Sequence, residues 1–228
     1  MKQAQGGKMR EKIKESYRLS KNIYDDVLTQ NKWWSRLYIR LFWNGVDDNL
    51  IAEELLKCIP DHFTGKLLDV PVGTAVFTYR KYAKMKRADI TCLDYSADML
   101  EQARNKFEQY KIGNINVLQG DVGALPFADE TFDIVLSMNG FHAFPDKQKA
   151  YAETNRVLKK GGKFIACFYI QGRSKVTDWL VDRILVKKGW FTPPFETALS
   201  LKTRLKEKYQ IEKFQIKGSI VRFCAVKK

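Results

Sequence analysis

Three aspartates carry the first chemical signal. Asp69, Asp94 and Asp121 stand at or just past the end of the short apolar runs L-L-D, T-C-L-D and V-L-Q-G-D. An ionised carboxylate is a pure acceptor with two oxygens. An acid closing the second strand of a doubly wound sheet can take both hydroxyls of a ribose, and one after the third strand can take an amino group such as that of adenine. Asp69 runs at once into the turn-forming P-V-G, where Gly73 lets the backbone approach a bound molecule closely. The three together predict a ligand that carries a nucleoside. Each acid alone could simply cap a turn or the next helix. Asp133, directly after Phe132, points to the other face of its strand and is read as structural.

The first loop narrows the ligand. A dinucleotide site carries G-x-G-x-x-G, whose glycines admit a pyrophosphate at a helix start. Here only Gly73 is present in D-V-P-V-G-T-A, and Pro71 has no N–H to donate. No G-x-x-x-x-G-K-[ST] phosphate loop occurs in the chain. A ligand with adenine and ribose but no phosphate fits better, which points to S-adenosylmethionine.

The elements that must position these residues follow from the pattern of the chain. Asp48–Cys58 reads as a helix that stops before Pro60. From Gly65 onward strands and helices alternate: strands at Leu67–Val70, Asp89–Leu93, Ile115–Leu118, Phe132–Met138 and Lys163–Tyr169, and helices at Val76–Lys86, Ala97–Tyr110 (capped by Ser96) and Lys147–Leu158. Gly161-Gly162 is read as the turn into the fifth strand. Val176–Lys188 and Leu199–Tyr209 are helical, separated by an irregular Trp190–Pro194. Ile211–Ile216 and Ile220–Val226 are joined by only Lys217-Gly218-Ser219, too few residues for a parallel crossover. The fold class is therefore α/β: a Rossmann-like, doubly wound, mainly parallel seven-stranded sheet with one antiparallel strand near the edge, plus a helical N-terminal cap. The expected division is a cap over residues 1–64, a ligand-binding domain over 65–228, and a helical lid insertion over 170–208.

Composition sets outer limits. The chain has 228 residues, 45% of them hydrophobic and 13% aromatic, a globular rather than disordered balance. No signal-peptide pattern and no run of about eighteen apolar residues occurs, so a cytoplasmic protein without stable membrane insertion is expected. Cys58, Cys92, Cys167 and Cys224 form no C-x-x-C pair and read as reduced thiols, with no metal site. The net charge of +14 is uneven: residues 1–65 hold eleven Lys and Arg against nine acids, 66–154 eleven against twelve, and 155–228 eighteen against five. Such a field could attract nucleic acid, an anionic membrane surface or an acidic small molecule, or could be only a solvated surface.

Four segments, in order, resemble the motifs of the class I S-adenosylmethionine-dependent methyltransferases, in particular the small-molecule and quinone-type subgroup. They are L-L-D-V-P-V-G-T-A, L-D-Y-S-A-D-M-L-E-Q-A-R, G-D-V-G-A-L-P-F-A-D-E-T-F-D-I-V and R-V-L-K-K-G-G. The resemblance implies that Asp69, Val70, Pro71, Gly73 and Thr74 hold the methionine part of the cofactor. It implies that Asp94 accepts from the ribose, that Tyr95 and Met99 flank the adenine, and that Asp121 and the Val122 N–H read its edge. Met138 and Asn139 would line the sulfonium, and Tyr24 loosely matches a cap tyrosine. Pro71 and Ala75 depart from the family, which usually has glycine there.

The implied reaction is in-line attack of a nucleophilic O, N or C on a sulfonium-bound methyl group, with a base needed only if the nucleophile must lose a proton. His142 is the candidate base, with a role in the pocket wall or in packing as alternatives. Trp33, Trp34, Trp43 and Tyr24, with Trp179, Trp190 and Phe191, would gather over the cofactor if both flanking segments form a lid, favouring an apolar or aromatic small-molecule substrate. The basic last third keeps an RNA methyltransferase as the alternative, although M-N-G-F-H replaces the N-P-P-Y type motif of base-amine enzymes. A non-catalytic nucleoside-binding protein of the same fold is a further alternative, and the missing glycines disfavour an NAD-dependent oxidoreductase.

Overall fold

The computed structural model describes residues 48–228. Tyr24, Trp33, Trp34, Trp43 and most of the expected N-terminal cap lie outside the described residues. Helix α1 (Asp48–Leu56) precedes strand β1 (Lys66–Asp69), helix α2 (Tyr79–Lys84), strand β2 (Asp89–Asp94), helix α3 (Ala97–Gln109) and strand β3 (Ile115–Gln119). Strand β4 (Phe132–Met138), helix α4 (Lys147–Val157) and strand β5 (Leu158–Tyr169) follow. Helix α5 (Lys175–Leu180) then passes through a π-helical turn (Val181–Leu185) into the short α6 (Val186–Lys188). Helix α7 (Ala198–Lys208) and strands β6 (Tyr209–Lys217) and β7 (Ile220–Lys227) close the chain.

The seven strands lie in the order β3-β2-β1-β4-β5-β7-β6. Strands β1 to β5 are parallel, and β7 runs antiparallel to both β5 and β6. The expected sheet, with one reversed strand near its edge, is the one observed. Its inner strands are mostly apolar because both faces are covered. Leu67, Ile90, Ile134 and Ile165 pack into one core with Ile51, Leu55, Tyr82 and Phe107, while Leu68, Leu93, Val135 and Phe164 pack into the other with Phe141, Val157 and Leu205. Neighbouring residues of one strand thus serve opposite cores, as the two-residue period demands. Strand order turns back between β1 and β4, and the cleft outside their carboxyl ends is where a doubly wound sheet receives ligands.

Two local expectations are corrected. The second helix begins at Tyr79 rather than Val76, because Gly73 (φ 56°) and Ala75 (φ 57°) are left-handed and residues 74–78 close as turns. Strand β5 begins at Leu158, so Gly161 and Gly162 lie within it instead of before it. There the pairing jumps from Phe132 with Leu158 to Ile134 with Lys163, and Gly161 (φ 73°) carries the irregularity.

Candidate active site

The cleft at the switch point is built from the carboxyl ends of β1, β2 and β4 and the loops that follow them. Asp94 ends β2 and is buried; its Oδ2 accepts from the Gly73 N–H at 2.9 Å and its Oδ1 from the Ser96 N–H at 2.9 Å. One carboxylate therefore ties the first loop to the start of α3, where the Ser96 side chain also caps the Met99 N–H. Burial raises the Asp94 carboxyl to about 6, against the pull of the Ser96, Gly73 and Tyr95 N–H groups. Each oxygen has a second lone pair, so the carboxylate can still accept from a ligand.

Asp69 ends β1 and is 1% exposed. Its Oδ2 accepts from the Tyr82 hydroxyl at 2.7 Å. Its Oδ1 makes no hydrogen bond of normal geometry, and neither does the buried Thr78 hydroxyl. Burial, aided by the charge of Asp94, raises the Asp69 carboxyl to about 7; the Tyr82 and Thr78 hydroxyls oppose this. Burial also pushes the Tyr82 phenol well above its ordinary range. A buried acid facing a cleft beside a second buried acid is a receptor for a cationic group.

Asp121 follows β3 and closes a turn, its Oδ1 accepting from the Gly123 N–H at 2.8 Å. All the other residues expected to bind the cofactor, Tyr24 apart, line the same cleft with Asp121: Asp69, Val70, Pro71, Gly73, Thr74, Asp94, Tyr95, Met99, Val122, Met138 and Asn139. Its empty volume is about 1060 Å³, open solvent at the mouth included. The loop after β4 is pinned by Gly140, where a Cβ would lie 2.4 Å from the Pro71 Cδ and 2.7 Å from the Phe144 Cζ. Tyr82, Phe144 and Pro145 were missed by sequence reasoning. Tyr82 reads as one more core aromatic of α2, and only the fold turns its hydroxyl toward Asp69.

For His142, weighed as a base, a pocket wall or a packing group, the structure shows packed surroundings. The cleft is lined by Ala143, Phe144 and Pro145, not by His142. His142 is buried, its ring stacked on Phe191 at 4.0 Å, and its Nδ1 accepts from the Tyr169 N–H at 3.2 Å. Burial, with Lys147 nearby, depresses its pKa to about 3. Of the expected aromatic lid, Tyr24, Trp33, Trp34 and Trp43 lie outside the described residues, and among the described residues none from 170–208 lines the cleft. Phe191 is buried against His142 and Tyr169, and Trp179 faces solvent.

A doubly wound sheet with acids at successive strand ends and a glycine-poor first loop defines a Rossmann-like binder of a nucleoside cofactor. Comparison with known proteins is more specific. Residues 67–162 match the methyltransferase domain family. The chain is 32% identical over 164 residues to 2-methyl-6-phytyl-1,4-hydroquinone methyltransferase 1 of Oryza sativa subsp. japonica, a chloroplastic protein, covering 72% of this chain and 44% of that one. It is 37% identical over 103 residues to the ubiquinone/menaquinone biosynthesis C-methyltransferase UbiE of Haemophilus ducreyi, covering 44% and 39%. The chain thus spans less than half the length of these relatives. Its fold matches that of a SAM-dependent methyltransferase from Aquifex aeolicus with a TM-score of 0.63 at 16% identity, over 89% of this chain and 97% of that one. Residues 67–162 are thus a methyltransferase domain, set in the fold of class I S-adenosylmethionine-dependent methyltransferases, and the cofactor such a domain takes is S-adenosylmethionine. The donor set fits that molecule: two buried carboxyls held above their ordinary pKa gain from a ligand that brings an ammonium and a sulfonium.

Proposed function

We propose that this protein methylates a small, partly apolar aromatic acceptor of the hydroquinone or quinone class, at a ring carbon. The observation that carries the proposal is the pairing of Asp69 and Asp94, both buried, at one end of a cleft whose remaining walls are largely apolar. The two relatives named above act on such molecules by name, which supports the choice of acceptor. S-adenosylmethionine supplies an electrophilic methyl group on a cationic sulfur. In this reading Asp69 and its neighbours Val70, Pro71, Gly73 and Thr74 hold the amino-acid end, Asp94 holds the ribose, and Tyr95, Met99, Asp121 and Val122 hold the base. Met138 and Asn139, at the end of β4, align the methyl group with the acceptor. The leaving sulfur is neutral, so the chain's own work is alignment and exclusion of water. The site of action is proposed to be the cytoplasm, a reading supported by the four unbridged cysteines.

The test is methyl transfer from labelled cofactor to polyprenylated hydroquinones, with cell RNA and lipid extracts in parallel. Label in a ring-methylated product is expected. Label in RNA alone would replace this reading with the RNA methyltransferase. Failure to bind either S-adenosylmethionine or its demethylated product in calorimetry would leave only the non-catalytic alternative.

A further inference from the structure

The catalytic reading makes no use of the outer face of residues 173–188. Val176 is 64% exposed and Trp179 is 58% exposed, one helical turn apart on α5. Among the described residues, large apolar side chains are exposed at six positions, and only these two are neighbours on one element. Around them stand the exposed cations Arg173, Lys175, Arg183, Lys187 and Lys188, against Asp178 and Asp182. Asp178 is turned inward, accepting from the Tyr169 hydroxyl at 2.6 Å and from the Gly172 N–H at 2.9 Å. The opposite face, Thr177, Val181 and Leu185, is fully buried, so the exposed face is held firmly in place.

Its position matters as much as its composition. Strand β5 ends at Tyr169, whose N–H donates to His142. Thr192, just past α6, donates its N–H to the His142 carbonyl and its hydroxyl to the Ala143 carbonyl, and Ala143 lines the cleft. The helical run is therefore tied to the loop after β4 that helps to line the cleft.

We propose that residues 173–188 dock the protein on an anionic lipid bilayer, with Val176 and Trp179 entering the interface and the five cations resting on lipid phosphates. A tryptophan and a β-branched aliphatic ringed by Lys and Arg suit the boundary between headgroups and acyl chains. Nucleic acid would use the same cations but has no call for an exposed valine. No helix among the described residues is long and apolar enough to cross a membrane, so the contact is with the surface.

Flotation of the full chain with vesicles tests this without cofactor or acceptor, so its result is independent of the proposed reaction. Binding is expected to phosphatidylcholine mixed with phosphatidylglycerol in equal parts, to weaken with added salt, and to be lost on phosphatidylcholine alone. Trp179→Ser with Val176→Ser should lower partitioning by about tenfold or more. Lys187→Ser with Lys188→Ser should lower it roughly fivefold per charge. Cofactor affinity should stay unchanged, since all four side chains are exposed and none lines the cleft. Vesicle binding that survives both pairs of substitutions, or is equal on neutral vesicles, would overturn the proposal. Transfer-RNA binding lost in the lysine variant but kept in the tryptophan variant, without vesicle binding, would assign the face to nucleic acid. A dimer in solution that Trp179→Ser dissolves, again without vesicle binding, would assign it to a second copy.

Discussion

Replacing Asp69 with asparagine tests whether the site holds a buried charge in reserve for its cofactor. The folded-state pKa of Asp69 is raised from 3.8 to about 7, chiefly by burial. An acid raised in the folded state stabilises the fold fully only below its unfolded pKa, and that contribution is lost as pH climbs through the folded pKa. The loss therefore runs from about pH 4 to pH 7, and a gap of this size corresponds to ~4 kcal/mol at 1.36 kcal/mol per pH unit. Asparagine keeps the shape and can still accept from the Tyr82 hydroxyl, but it does not titrate. Without cofactor, the variant should gain on the parent by about 2–3 kcal/mol between pH 5 and pH 8, a relative rise in melting temperature of roughly 5–10 °C for a domain of this size. Any fixed penalty for the buried amide is the same at both pH values and drops out of the comparison. With S-adenosylmethionine added, the order should reverse, because the parent alone offers a carboxylate to the cationic ligand. Thermal melts from pH 5 to 8, with and without cofactor, check both parts. Parallel pH profiles for the two proteins would refute the reasoning.

Four further outcomes follow from the same geometry. Asp94→Ala removes the acceptor for the Gly73 and Ser96 N–H groups and should weaken cofactor binding by ~1.5–3 kcal/mol, read by calorimetry. Because the Asp94 and Asp69 carboxyls sit near 6 and 7, S-adenosylmethionine should bind more tightly as pH rises from 5 to 8, releasing protons in proportion; pH-independent affinity would contradict this. His142→Ala should cost about 2–4 kcal/mol of stability by unpairing the Tyr169 N–H and leaving a hole beside Phe191, yet leave the shape of the pH–rate profile intact. Gly140→Ala should drive a methyl group into Pro71 and Phe144 and weaken cofactor binding more than tenfold, whereas a change in stability alone would place the strain elsewhere.

The sheet was legible because its signals are local. Short apolar runs ended by acids gave the strands, and a three-residue link gave the reversed β7, since no parallel crossover is that short. The acids were legible as a set because strand ends on one edge of a parallel sheet converge. The base was not. His142 lies four residues past the end of β4, near enough in sequence to suggest chemistry, but its ring turns away from the cleft to stack on Phe191, a residue 49 positions later. No local pattern encodes that contact. The directions of Trp179 and Phe191 were hidden for the same reason, since they belong to one segment yet one faces solvent and the other the core.

The sequence by itself determined the α/β class with its mainly parallel sheet, the acids at the strand ends and the glycine-poor first loop, because each is a matter of residue type at a spacing of a few positions; the strand order came from the tertiary structure. Tertiary structure alone decided the electrostatics. Asp69 and Asp94 are ordinary carboxylates in the chain, and only burial on both faces of the sheet makes them poised, partly protonated groups. It also decided which aromatic residues are core and which, as at Val176 and Trp179, are left facing outward among cations, because exposure depends on what the rest of the fold covers.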